Sequence, residues 1–61
     1  PGFIDTDFIG DLSKEQKQAY LDMVPLRRFG SPEEVANSVL FIASTEAAYI
    51  TGSIVEVTGG L

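Results

Sequence analysis

Apolar positions follow three patterns along the chain. From Ser31 to Ser44 they recur with helical spacing. At about 100° per residue, Val35, Ala36, Val39, Leu40, Ile42 and Ala43 fall within an arc of roughly 160°. That is wider than the ~100° stripe of a helix with one packing partner, so more than one partner is expected. Phe41 lies outside the arc, on the face with Glu34 and Asn37. Ser31 is placed to cap the helix, Pro32 suits its first position, and Glu34 completes a capping box. Glu33 and Glu34 also suit the positive end of the helix dipole. A second helix is predicted from Ser13 to Met23, where Ser13 and Gln16 form another capping box and Lys14 to Ala19 are good helix formers. Its apolar content is thin and late (Ala19, Tyr20, Leu21, Met23), which predicts a surface helix. The third pattern is the β-branched run Ser53 to Val57, between Gly52 and Gly59-Gly60. It reads as a strand, with Val55 and Val57 on one face and Ile54 and Glu56 on the other. One strand cannot make a sheet, so the rest of that sheet is expected from elsewhere.

The intervening stretches read as connections. Pro1 to Gly10 is a turn and loop, with Phe3 and Ile4 apolar and Asp5, Thr6 and Asp7 suited to turns and caps. Val24 to Gly30 is a linker in which Pro25 ends the preceding helix. Thr45 to Gly52 is a second connection, with Tyr49-Ile50 as an apolar anchor. No internal repeat or low-complexity stretch is present.

Composition narrows the field. Sixty-one residues make at most one small domain, and a chain of this size buries only about 60% of the surface its unfolded form exposes. There is no Cys and no His, so no disulfide and no ordinary zinc site can support the core. Nine acidic residues against four basic ones give a net charge of −5, which disfavours nucleic acid and anionic membrane as partners. No apolar stretch approaches the ~20 residues that span a bilayer. The opening Pro-Gly is a turn signal, and the expectation is a piece of a larger domain over residues 1–61 that does not fold on its own. Asp5, Asp7, Gly10 and Asp11 have part of the spacing of a calcium loop. That loop needs a ligand where Ile9 stands and a Glu where Gln16 stands, so no metal site is expected. Arg27-Arg28 is too short for a basic patch; Arg28 is expected to pair with a carboxylate or to cap carbonyls.

Three segments, in this order, carry a family resemblance: Pro1-Gly2-Phe3-Ile4-Asp5-Thr6, Pro25-Leu26-Arg27-Arg28-Phe29-Gly30-Ser31-Pro32-Glu33-Glu34-Val35-Ala36, and Tyr49 to Gly60. Together they resemble the C-terminal end of a short-chain dehydrogenase/reductase, and are most similar to β-ketoacyl-acyl-carrier-protein reductases. The resemblance implies the C-terminal part of a Rossmann-type, doubly wound α/β fold with a parallel sheet. This stretch would supply the loop after the sixth strand, the lid helices between Phe8 and Val24, a long helix and the last strand. It implies a cytoplasmic homotetramer that reduces a β-ketoacyl thioester in fatty-acid synthesis with NADP(H), or NAD(H). Its subunits would meet through the Ser31 to Ser44 helix and the Ser53 to Val57 strand.

In the family, the backbone at Ile4 pairs with the nicotinamide carboxamide, and the hydroxyl at Thr6 bonds the carboxamide or the pyrophosphate. Pro1 and Gly2 shape that loop, so the implied cofactor residues are Pro1, Gly2, Ile4 and Thr6. The family's catalytic Tyr stands four residues before a Lys. Val24 follows Tyr20 at that spacing and Ser53 follows Tyr49, so neither tyrosine fits; both are expected to pack, and no catalytic residue is assigned. The glycine-rich pyrophosphate loop is not found in these residues. Two positions depart from the pattern: Arg27 stands where Gly is usual, and Thr58 where Asp is usual. The Thr58 hydroxyl can still cap a backbone N–H. Two alternatives remain: a family member acting on a sugar, a steroid or another alcohol, and an inactive fragment that self-associates through its apolar helix and open strand edge.

Overall fold

Two capping boxes start the two long helices. The computed structural model describes residues 1–61. Helix α1 is a single turn at Asp7–Gly10, α2 spans Lys14–Met23, α3 spans Pro32–Ile42, and a 3-10 turn follows at Thr45–Ala47. The Ser13 hydroxyl accepts from the Gln16 N–H at 3.1 Å, and the Gln16 side chain accepts from the Ser13 N–H at 2.9 Å. Ser31 and Glu34 repeat this arrangement at 3.1 and 2.9 Å. Each box satisfies two of the N–H groups that a helix start leaves without partners.

Helix α1 was not expected, because Pro1 to Gly10 reads as loop. Thr6 occupies its cap position, Asp7 suits its first turn, and the turn buries Ile9. Burial of one isoleucine turns a turn-forming sequence into a helical turn.

The expected strand does not form. Ser53 to Val57 is irregular, without a pairing ladder, and only the Val57 carbonyl bonds to the chain backbone, accepting from the Gly2 N–H at 2.9 Å. A strand exists through its neighbours' hydrogen bonds, and this chain offers that run no neighbouring strand. The α/β expectation is therefore met in this chain only by helices and an isolated parallel bridge between Ile4 and Gly30.

Only Ile9, Val24 and Ala47 are buried, and they come from three separate regions. The accessible surface is 4853 Å², whereas a compact monomer of 6.6 kDa exposes about 3,900 Å². The radius of gyration is 13.8 Å, against about 10.5 Å for a compact chain of this length. Helix α3 buries none of its residues: Val39 is 63% and Leu40 71% exposed. The expected anchor at Tyr49 also fails, since Tyr49 stands fully in solvent and Ile50 is half exposed. The short 3-10 turn before them buries only Ala47, and it offers no surface wide enough to cover an aromatic ring.

Candidate functional site

The segment before α1 pairs through Ile4 in an isolated parallel bridge to Gly30, and Thr6 takes an extended conformation where α1 begins. Two neighbours fix its course. The Gly2 N–H donates to the Val57 carbonyl, and a Cβ on Gly2 would lie 3.0 Å from the Thr58 Cα. Only glycine allows that approach without displacing backbone. On the next residues, the Gly30 N–H donates to the Phe3 carbonyl at 2.9 Å, and the Gly30 carbonyl accepts from the Asp5 N–H at 2.7 Å. These two bonds bracket Ile4.

The bracket has a chemical result. In extended backbone, successive peptide groups face opposite edges. Phe3 and Asp5 spend their inward groups on Gly30, so the N–H and C=O of Ile4 face the other edge. Neither makes a hydrogen bond within the chain. Two residues on, Thr6 sits at the cap position of α1, but its hydroxyl does not cap the helix. A donor, an acceptor and a hydroxyl thus stand free within three residues. Ile4 is half-buried while Pro1 and Thr6 are exposed.

The loop rests on α2 and on a turn. The Phe3 and Tyr20 rings lie 4.7 Å apart at 45°, a favourable tilted aromatic contact, so Tyr20 packs as expected. Val24, 2% exposed, opens a turn closed by the Arg27 N–H donating to the Val24 carbonyl at 2.8 Å. The Leu26 N–H then donates to the Gly59 carbonyl at 3.0 Å. Gly59 has φ +70°, and a Cβ there would lie 2.8 Å from the Val24 Cγ1. The Thr58 hydroxyl accepts from the Gly60 N–H at 3.2 Å, the cap expected of it.

Between these segments lies a cavity of about 220 Å³, lined by Ile4, Leu26, Arg28, Glu34 and Glu56 among others. Arg28 grips Glu34 with two bonds of 2.8 and 2.9 Å and also donates to the Phe29 carbonyl. The Arg28 hydrogen bond, followed by the Ser31 N–H, holds the Glu34 carboxyl down at about 2. The same hydrogen bond raises the Arg28 guanidinium above its ordinary value. The two charges match each other, and neither is poised to exchange a proton near neutral pH.

All four sequence-predicted cofactor residues therefore lie on one segment, with Ile4 and Thr6 carrying its free polar groups and Gly2 its close approach. Asp5, Asp7 and Asp11 do not converge: no group of three acidic side chains is placed to hold a metal ion. Sequence reasoning did not find Gly30, which orients Ile4. It named a carboxylate for Arg28 without identifying Glu34. The signal was an Arg six residues before a capping Glu.

Comparison with known proteins adds a family. A family model described as enoyl-(acyl carrier protein) reductase matches residues 1–61. The chain is 59% identical to the 3-oxoacyl-(acyl-carrier-protein) reductase of Aquifex aeolicus (strain VF5) over 61 residues. It is 52% identical to the protein of the same name from Vibrio cholerae serotype O1 and 51% identical to that from Escherichia coli (strain K12). Each match covers all of this chain and 25% of the relative, so the chain spans about a quarter of the length of the relatives it matches.

Proposed function

The chain belongs to the enoyl-(acyl carrier protein) reductase family of short-chain dehydrogenases/reductases, and from this premise we propose that it forms the C-terminal quarter of an NADP(H)-dependent reductase of β-ketoacyl thioesters. The family model and the relatives are named for two different reductions of carrier-bound acyl groups. The identities of 51 to 59% to 3-oxoacyl reductases favour the ketone over the enoyl double bond.

In this reading the first six residues hold the nicotinamide end of the cofactor. A carboxamide offers one acceptor and two donors. The Ile4 N–H would donate to its oxygen and the Ile4 carbonyl would accept from its nitrogen. The Thr6 hydroxyl would add a bond to the carboxamide or the pyrophosphate. When bound, the cofactor supplies the hydride. The residues of this chain orient the ring that carries it, and Gly30 keeps the Ile4 peptide groups turned outward. The acid that protonates the ketone oxygen comes from other parts of the enzyme, because neither Tyr20 nor Tyr49 has the Lys partner at the family spacing.

The exposed side of α3 supports a second part of the reading. Val39, Leu40, Phe41 and Ile42 are 44 to 71% exposed, and the remainder of the reductase and a second subunit would cover them. A homo-oligomer through α3 and the Ser53 to Val57 run would leave no wide apolar face in water.

The observation that carries the cofactor assignment is the free N–H and C=O of Ile4 beside an uncommitted Thr6 hydroxyl. Thr6→Ala in the full-length reductase tests it by titration with NADPH. One net hydrogen bond is worth about 0.5–1.5 kcal/mol, so the Kd should rise a few-fold to roughly tenfold. An unchanged Kd in a folded variant removes Thr6 from the site.

A further inference from the structure

We propose that Arg27 is a strained, salt-sensitive latch on the C-terminal end of α2. Arg27 has φ +59°, and no other residue except glycines has a positive φ. Side chains rarely adopt that conformation, and at the end of the turn from Val24 to Arg27 glycine would take it without strain. The position therefore carries a backbone cost that Gly would relieve.

The side chain has work at that position. One guanidinium N–H group reaches the Asp22 carbonyl at 3.1 Å and the Asp22 carboxylate at 3.5 Å. The carbonyl is among the last of α2 and lacks a helical partner. The carboxylate sits at the negative end of the helix dipole, where an acidic group is disfavoured. Arg27 offsets both. Gln18 steadies the same carboxylate from one turn earlier, donating to it at 2.8 Å.

The latch matters because α2 has few other attachments. It buries none of its residues. Beyond the latch, its own capping box and the Phe3–Tyr20 contact, few interactions hold it. Its last turn before the buried Val24 can then fray while the junction beyond stays closed, and the ion pair, exposed on both sides, weakens as salt screens it. The device is independent of which reaction the protein catalyses.

Amide exchange of Tyr20 to Val24 in the full-length protein, at low and high salt, tests the latch. In the wild type the exchange should rise about two- to five-fold with salt, the range expected of one exposed ion pair. In Arg27→Gly it should already be fast at low salt and lose its salt dependence, while the thermal midpoint stays level or rises. Asp22→Asn should also lose the salt dependence, without the gain in midpoint. An ordinary stabilising residue would lower protection and midpoint together, so that outcome overturns the proposal. Wild-type exchange indifferent to salt, Arg27→Gly protected like the wild type, or Asp22→Asn still responding to salt would overturn it too.

Discussion

The loop junction and the outer side of α3 treat their surroundings in opposite ways. At the junction, backbone hydrogen bonds link residues 1–5, 24–30 and 57–60 while the Ile4 N–H and C=O stay outward, and Gly2, Gly30 and Gly59 stand where a Cβ would crowd the Thr58 backbone, the Ile4 side chain and the Val24 side chain. Along α3, four consecutive large apolar residues from Val39 to Ile42 remain exposed. The junction's backbone bonds are made within this chain. Helix α3 takes its local shape from a capping box and buries none of its residues. The difference separates two kinds of specification: backbone bonds closed within the chain, and an apolar helix face that these 61 residues leave exposed.

The sharpest way to break this contrast is at Phe41. It lies with Asn37, Ile50 and Val55 around a shallow groove and is 46% exposed. On the proposed homo-oligomer through α3, Phe41→Asp in the full-length protein should dissociate the subunits, because an unpaired charge would enter an apolar contact; a monomeric wild type would remove the contact altogether. Sedimentation would report it, and an unaltered assembly would place Phe41 outside the contact.

Gly59→Ala tests the self-contained side. The new Cβ would meet Val24, the most buried residue, at a backbone angle that disfavours side chains. We expect a loss of about 1–3 kcal/mol, the range for overpacking a filled site, measured by urea unfolding. Loss below 0.5 kcal/mol would mean that the junction yields easily, contrary to its hydrogen-bond pattern.

The smallest effect is a pH dependence that sharpens the comparison. The Glu34 carboxyl has a folded value lowered from 4.5 to about 2. Its contribution is then fully present above about 4.5 and is lost as the pH falls toward 2. Glu34→Gln, which can still accept the Ser31 N–H, should flatten the stability profile in that window, lower the stability near neutrality, and approach the wild type as the pH falls toward 2. A profile with the same acid slope in both proteins would show that Glu34 contributes nothing through its charge.

Legibility followed the range of the interactions involved. Both capping boxes were readable because each is contained in four residues, and the helices they start were found within two residues of their ends. The first six residues drew attention through a resemblance, but the bridge from Ile4 to Gly30 that turns the Ile4 peptide groups outward was not readable. That pairing joins residues far apart in sequence, and no local spacing encodes it. The single turn α1 was missed because one buried side chain, Ile9, decided it. The Ser53 to Val57 strand was read from propensity alone, and propensity supplies no hydrogen-bond partner. Tyr49 failed because an apolar residue was assigned a local surface that these 61 residues do not contain.

The bond from the Gly2 N–H to the Val57 carbonyl also sets an order of events. It joins residues from nearly opposite ends of this chain, so closing it costs more loop entropy than any helix or turn described above. The capped helices can form early and locally; this clasp closes late. In a transition state built from local structure, its interactions would be largely unformed. Disturbing it would then leave the folding rate almost untouched and speed the rate of escape from the native state. The clasp therefore governs how long the loop geometry persists more than how quickly it is reached.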